Sequence, residues 1–73
     1  MGGGPVIDIR DLIPDIKPGT RGLCHVGPKE TKRLTFFARK ALYTRLEEKA
    51  EAAGVVLTAG IRNRMLVIGW APK

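Results

Sequence analysis

Apolar positions recur along this chain at two spacings, helical and strand-like, and glycines and prolines mark the joints between them. From Val6 to Ile16 (VIDIRDLIPDI), the residues Ile9, Leu12, Ile13 and Ile16 fall at helical spacing. Pro14 forbids a regular helix through its own position, because it lacks the amide donor and its ring clashes with the preceding turn. The segment is therefore expected as a short turn of helix or an extended arm with one sticky face. Lys17-Pro18-Gly19-Thr20 follows as a turn. Ahead of the arm, Met1 to Gly4 is expected to be a flexible tip, since three consecutive glycines are costly to order.

Arg21 to Val26 (RGLCHV) predicts a short strand that ends at Gly27-Pro28, with the mostly apolar character of an interior strand. The longest periodic segment then runs from about Thr31 to Ala53. Ala38, Ala41, Leu42, Leu46, Ala50 and Ala53 lay one apolar stripe along it, and Gly54 follows as a C-cap glycine would. Its start is open: Pro28 suits a first turn, and a later start near Thr35 fits as well. Val55 to Thr58 predicts a strand by its β-branched content. The continuous apolar run Met65 to Ile68 predicts another, covered on both faces. Between them, Gly60 and Asn63 suit a hairpin turn or a short connection. The expected fold class is a small α/β module of order β-α-β-β. One main amphipathic helix packs on a short sheet, with residues 1–20 as tip and arm and 21–73 as the domain.

At 73 residues, the chain is one domain at most. A chain of this size buries only about 60% of the surface its unfolded form exposes, and such cores usually need a staple. The single Cys24 excludes an internal disulfide, and with the single His25 it leaves too few ligands for a zinc cage. Self-association is the staple that remains, so a homodimer is expected, with no metal and no cofactor. Its interface would draw on Ile9, Leu12, Ile13 and Ile16 of the arm, and on Phe36 and Trp70. Adjacent Phe36 and Phe37 cannot both face one core stripe, and Trp70 would close either the core or the dimer contact. No apolar run approaches the roughly 20 residues of a membrane span, and no leader pattern opens the chain. With the lone thiol, this points to the cytoplasm.

Charge changes the picture more than size does. Thirteen Lys and Arg face seven Asp and Glu, for a net charge of +6 and a pI near 10.1, a balance that favours polyanions. Residues 21–46 hold Arg21, Lys29, Lys32, Arg33, Arg39, Lys40 and Arg45 against the single acid Glu30. The end of the helical segment instead holds Glu47, Glu48 and Glu51. On one continuous helix this opposes the dipole, at about 0.3–1 kcal/mol per charge. Lys29, Lys32, Arg33, Arg39 and Lys40 are therefore expected to contact phosphate around a basic helix N-terminus. Arg62 and Arg64, in the turn before the last strand, form a second basic point, since the arginine fork suits phosphate. The competing reading is a solvated basic face, or a start to the helix late enough that Lys29, Lys32, Arg33, Arg39 and Lys40 lie in a loop.

No catalytic constellation stands out, and the chain is not expected to be an enzyme. Neighbouring Cys24 and His25 would point to opposite faces of a strand, which is poor geometry for a nucleophile pair. The run Gly27 to Lys32 lacks the glycine spacing and the Gly-Lys-Ser/Thr ending of a phosphate loop.

In order and motif, residues 21–69 resemble the first half of a BRCT domain. The corresponding pieces are Leu23-Cys24-His25-Val26-Gly27, the helix through Leu46 to Ala53, Gly54-Val55-Val56, and Met65-Leu66-Val67-Ile68-Gly69. A full BRCT domain continues with another strand and two helices, past the point where this sequence stops. Members that grip phosphopeptides carry Ser or Thr where Val26 stands, so that activity is not implied. The resemblance implies a role at nucleic acid, DNA more than RNA, with Lys29, Lys32 and Arg33 near the phosphates. The expected function is thus a non-catalytic, homodimeric module that binds phosphate backbone. In the alternative, the apolar arm docks a protein partner and the basic charge is incidental.

Overall fold

A computed structural model describes residues 8–73. The expected glycine tip, Met1 to Gly4, and the first arm residues, Val6 and Ile7, lie outside the described residues. A 3-10 turn (Ile9–Leu12) leads to β1 (Gly22–Val26), two helices α1 (Pro28–Arg33) and α2 (Phe36–Ala53), and then β2 (Val55–Arg62) and β3 (Met65–Pro72). The fold is the expected small mixed α/β module, a three-stranded sheet with one main helix.

The sheet order is β1-β3-β2, and β3 runs antiparallel to both neighbours. Because side chains alternate along a strand, the register sorts the residues into two faces. Cys24 and Val26 of β1, Val55 and Leu57 of β2, and Leu66, Ile68 and Trp70 of β3 pack toward the helices. Leu23, His25, Val56, Thr58 and Val67 take the opposite face. The helix-side face joins Leu34, Leu42 and Leu46 in one core, in which Leu42, Leu46, Leu66 and Ile68 are fully buried. Each such side chain contributes about 1.5–3 kcal/mol. Ala50, Ala53, Val55 and Ile16 form a second cluster, joined to the first by half-buried Leu57 and Trp70.

Several expectations change at this level. The periodic segment is two helices, not one from Thr31. Pro28 opens α1 as its first helical residue, Leu34 turns inward in extended geometry, and the Thr35 hydroxyl accepts the Ala38 amide at 3.0 Å as a new N-cap. Both candidate starts are real, one for each helix. On α2 the stripe is Leu42, Leu46, Ala50 and Ala53; Ala41 is exposed. Strand β1 is an edge, not an interior strand, and its Leu23 is exposed. Strand β3 is central as its apolar run implies, but among the described residues only its helix side is covered by another element.

The turns follow sequence chemistry at three joints, but Gly60, expected in the link after Thr58, pairs with Val67 inside β2, which runs on to Arg62. Gly19 adopts φ +68° after Pro18, and the Thr20 hydroxyl donates to the Lys17 carbonyl at 2.6 Å. Gly54 caps α2 at φ +67°, where its amide reaches the Ala50 and Glu51 carbonyls. Asn63 and Arg64 both have positive φ, 52° and 67°, between the paired residues Arg62 and Met65. This is the two-residue hairpin geometry that matches strand twist.

The arm is part of the fold. Ile16 is buried in the second cluster, and Ile9, Leu12 and Ile13 pack against the first. The Gly19 amide donates to the Ala53 carbonyl at 3.2 Å, which ties the arm's end to that of α2. These four residues were expected at a subunit or partner interface. Ile16 is buried and Ile9, Leu12 and Ile13 are half-buried, so packing within the chain takes up part of the apolar face that role needs. Trp70 closes the core across the sheet, its ring lying over Gly22, where a Cβ would overlap it. None of the described helices is long and apolar enough to cross a membrane.

Candidate functional site

Thr31 positions the basic region. It is buried, and its hydroxyl donates to the Val26 carbonyl at 3.0 Å while accepting the Leu66 amide at 3.1 Å. Val26 and Leu66 are register partners at the end of the β1–β3 ladder. One hydroxyl therefore clamps α1 to the end of the sheet, and its loss would leave a buried donor and acceptor unpaired.

With α1 fixed, an open cleft of about 400 Å³ lies between α1, the start of α2 and the tip of the β2–β3 hairpin, lined by Pro28, Lys29, Thr31, Lys32, Arg39, Ile61 and Arg64. Four of the seven cations expected to bind phosphate meet here, from three separate elements, and no acid joins them. Glu30, the one acid of this region, turns instead toward the cavity beside the arm, with Asp11 and His25. Among the described residues the one ion pair is Arg10–Asp8, far along the chain. Arg39 is half-buried, and its Nε is shielded from solvent without a hydrogen-bond partner among the described residues.

The remaining three cations are placed differently. Lys40 lines a smaller neighbouring cavity with Phe36, Arg39 and Tyr43, so Arg39 borders both. Arg33 is exposed at the end of α1 and lines neither. Arg62 takes the opposite face of the sheet to Ile61, so the turn separates it from Arg64. The break at Leu34 corrects the dipole argument for α1 alone; α2 keeps Arg39 and Lys40 near its start and Glu47, Glu48 and Glu51 toward its end. Lys32 and Arg33 occupy the last turn of α1, where cations are favoured, and Glu30 occupies its first. Lys29 lies in the first turn of α1, and Arg39 and Lys40 lie near the start of α2, so the cleft draws on the openings of two helices and on the hairpin.

Sequence reasoning missed the apolar floor of the cleft, Pro28 and Ile61, and the clamp Thr31. Ile61 is 48% exposed on the helix-side face, beyond the reach of α2. Its alternation with Arg62 was the available signal. Phe36, expected at an interface or in packing, is 75% exposed, and Phe37 is 80% exposed.

Cys24 and His25 diverge as strand alternation requires. Cys24 faces the helices opposite Ile68, and burial pushes its thiol above the ordinary range; His25 is exposed opposite Val67. Among the described residues no group of three or more His, Cys, Asp or Glu comes together to hold a metal. No family model, curated protein or solved structure matches the chain. The resemblance to the BRCT family takes no support from them, and function has to be read from the chain's own geometry.

Proposed function

We propose that the protein is a non-catalytic module that binds the phosphate backbone of nucleic acid in the cleft formed by Lys29, Lys32, Arg39 and Arg64. One observation carries the reading: four cations from three elements converge with no carboxylate among them. Clustered like charges repel unless something neutralises them, and two arginine forks with two lysines suit phosphate oxygens. The apolar floor of Pro28 and Ile61 lowers the local dielectric and strengthens the attraction. Lys40 extends the positive surface along α2. Arg33 and Arg62 add long-range field and little direct contact.

The assembly-module alternative has less to stand on, since Ile16 is buried and Ile9, Leu12 and Ile13 are half-buried within their own chain. The homodimer expected from chain size is supported instead by the open face of the sheet, where Leu23 and Val56 are exposed. A solution mass measurement decides that part of the reading.

The test of backbone binding is a salt titration of oligonucleotide affinity by fluorescence anisotropy. Four engaged cations predict a log–log slope of about −3, at roughly 0.7–0.9 per phosphate contact. Neutralising Lys29 and Lys32 to Gln should flatten it by about 1.5. Affinity that hardly changes with salt, or a slope the substitutions leave untouched, sinks the proposal.

A further inference from the structure

Phe36, Arg39, Lys40 and Tyr43 stand three and four residues apart, so they share one face of α2. They line a cavity of about 180 Å³ that adjoins the cationic cleft through Arg39. Tyr43 is half-buried and packed on the core, and so forms a fixed wall. Phe36 is three-quarters exposed at the rim, held edge-on to Phe37 with ring centroids 5.9 Å apart and planes at 76°. The Thr35 cap fixes the backbone from which both rings project. The chain's two phenylalanines are the most exposed of its large apolar side chains among the described residues, and they flank its densest cationic region.

Two adjacent exposed phenylalanine rings beside an arginine with no internal partner offer a flat face and a positive charge together, which suits a flat, negatively charged ligand. We infer that the ligand is single-stranded nucleic acid, with one base stacked on Phe36 against the Arg39–Tyr43 wall while the adjoining phosphates occupy the Lys29–Lys32–Arg64 side of the cleft. This rests on the phosphate-backbone reading and adds to it the strand state of the ligand. In a duplex the base faces are already stacked, and only their edges and the backbone are offered. A single strand presents the base faces that aromatic side chains use, with arginine contributing to the stack. Stacking uses the flat face that every base has, so the contact is tolerant of sequence.

The test is a cycle between protein and ligand. Binding of a fluorescent oligothymidylate, the same strand carrying abasic sites, and a duplex is measured for the wild type, Phe36→Ala and Phe36→Trp. The wild type should prefer the single strand to the duplex. Phe36→Ala should weaken binding to the base-bearing strand about tenfold, one stacked base's worth. It should leave the salt slope unchanged. On the abasic strand Phe36→Ala should change nothing, which assigns the loss to the base through the coupling. Phe36→Trp should bind at least as well as wild type. Because Phe36 is exposed, its variants should melt with the wild type. Should Phe36→Ala fail to fold, Phe36→Trp and the abasic strand still decide. Equal effects of Phe36→Ala on base-bearing and abasic strands, or a duplex preference, overturn this inference and leave backbone binding standing. Absence of salt-dependent binding to any of the three ligands overturns both.

Discussion

At the arm, Arg10 is gripped by Asp8 through a fork whose shortest bond is 2.8 Å, and Ile9, Leu12, Ile13 and Ile16 pack on the core. At the cleft, Arg39 and Arg64 meet Lys29 and Lys32 with no carboxylate, and Phe36 stands in solvent. The same residue types are thus placed in opposite ways within one small chain. In the arm, Arg10 has a carboxylate partner and the apolar side chains pack wholly or partly on the core. At the cleft neither the charge nor the exposed ring is matched in this way, although Glu30 sits on the same short helix. Charge count could not distinguish these regions, because the difference lies in what each cation faces. The apolar character of the arm first suggests binding, and the cleft's apolar residues, Pro28 and Ile61, form no periodic stripe in the sequence; the geometry favours the cleft.

The sharpest way to break this contrast is to weaken both regions and compare the damage. Ile16→Ala removes a buried side chain from the cluster with Ala50, Ala53 and Val55 and should cost about 2–4 kcal/mol. For a domain this small that is a large share of the total, on the order of 5 kcal/mol. Urea denaturation should show it as a lower midpoint, with oligonucleotide affinity of the folded fraction retained. Lys29→Gln with Lys32→Gln should do the reverse: a near-wild-type midpoint and a large loss of affinity at low salt. If Ile16→Ala left stability untouched and abolished binding, the arm would be a binding element after all.

Arg64 sharpens the contrast at one residue. It holds φ +67° in the hairpin turn, where a left-handed backbone costs a side-chain-bearing residue about 1–2 kcal/mol. Glycine is the residue that such a turn prefers. Arg64→Gly should therefore stabilise the protein by about 0.5–1 kcal/mol, after the extra unfolded-state entropy of glycine is subtracted. The same change should weaken oligonucleotide binding severalfold. Opposite signs in the melt and the binding curve are what a strained functional position produces. Arg64→Gly that lost stability, or that bound unchanged, would remove Arg64 from the site.

The sequence disclosed local features and left tertiary ones undetermined. The Gly54 cap and the Pro18-Gly19 turn were legible, because each depends on backbone chemistry within a few residues, while Asn63 fitted a hairpin turn and a short connection equally. The break at Leu34 was legible only as two competing starts, since Pro28 and Thr35 are both good helix openers and each does open one. The edge position of β1 was not legible. Leu23 is apolar yet exposed, and strand order depends on which neighbours pair, not on composition. Thr31 reads as an ordinary helix residue until Val26 and Leu66 are brought to its hydroxyl. For the site, the cations were visible but their company was not. Arg62 and Arg64 lie two residues apart, yet the turn sends only Arg64 to the cleft. Lys32 and Arg33 looked opposed to a helix dipole only because two helices had been read as one.

The smallest expected effect concerns the paired arginine. Asp8 accepts hydrogen bonds from the Arg10 side chain and amide, and these hold its carboxyl below the ordinary carboxylate range; the Arg10 guanidinium is raised in turn. A carboxyl depressed in the folded state contributes stability that is present above its unfolded value. That contribution is lost as pH falls through the folded one. The window is therefore acidic, at and below the ordinary value of about 3.9. Both groups are solvent-exposed, so screening keeps the contribution small, and Arg10→Gln should leave the melting midpoint at neutral pH unchanged. In a carboxyl NMR titration, Arg10→Gln should move Asp8 upward toward the ordinary range but short of it, because the backbone amide of residue 10 still donates to Oδ1. Arg64→Gln should move no carboxyl resonance, because no acid lines the cleft. A carboxyl that shifted with Arg64→Gln would give that arginine an internal partner and erase its difference from Arg10.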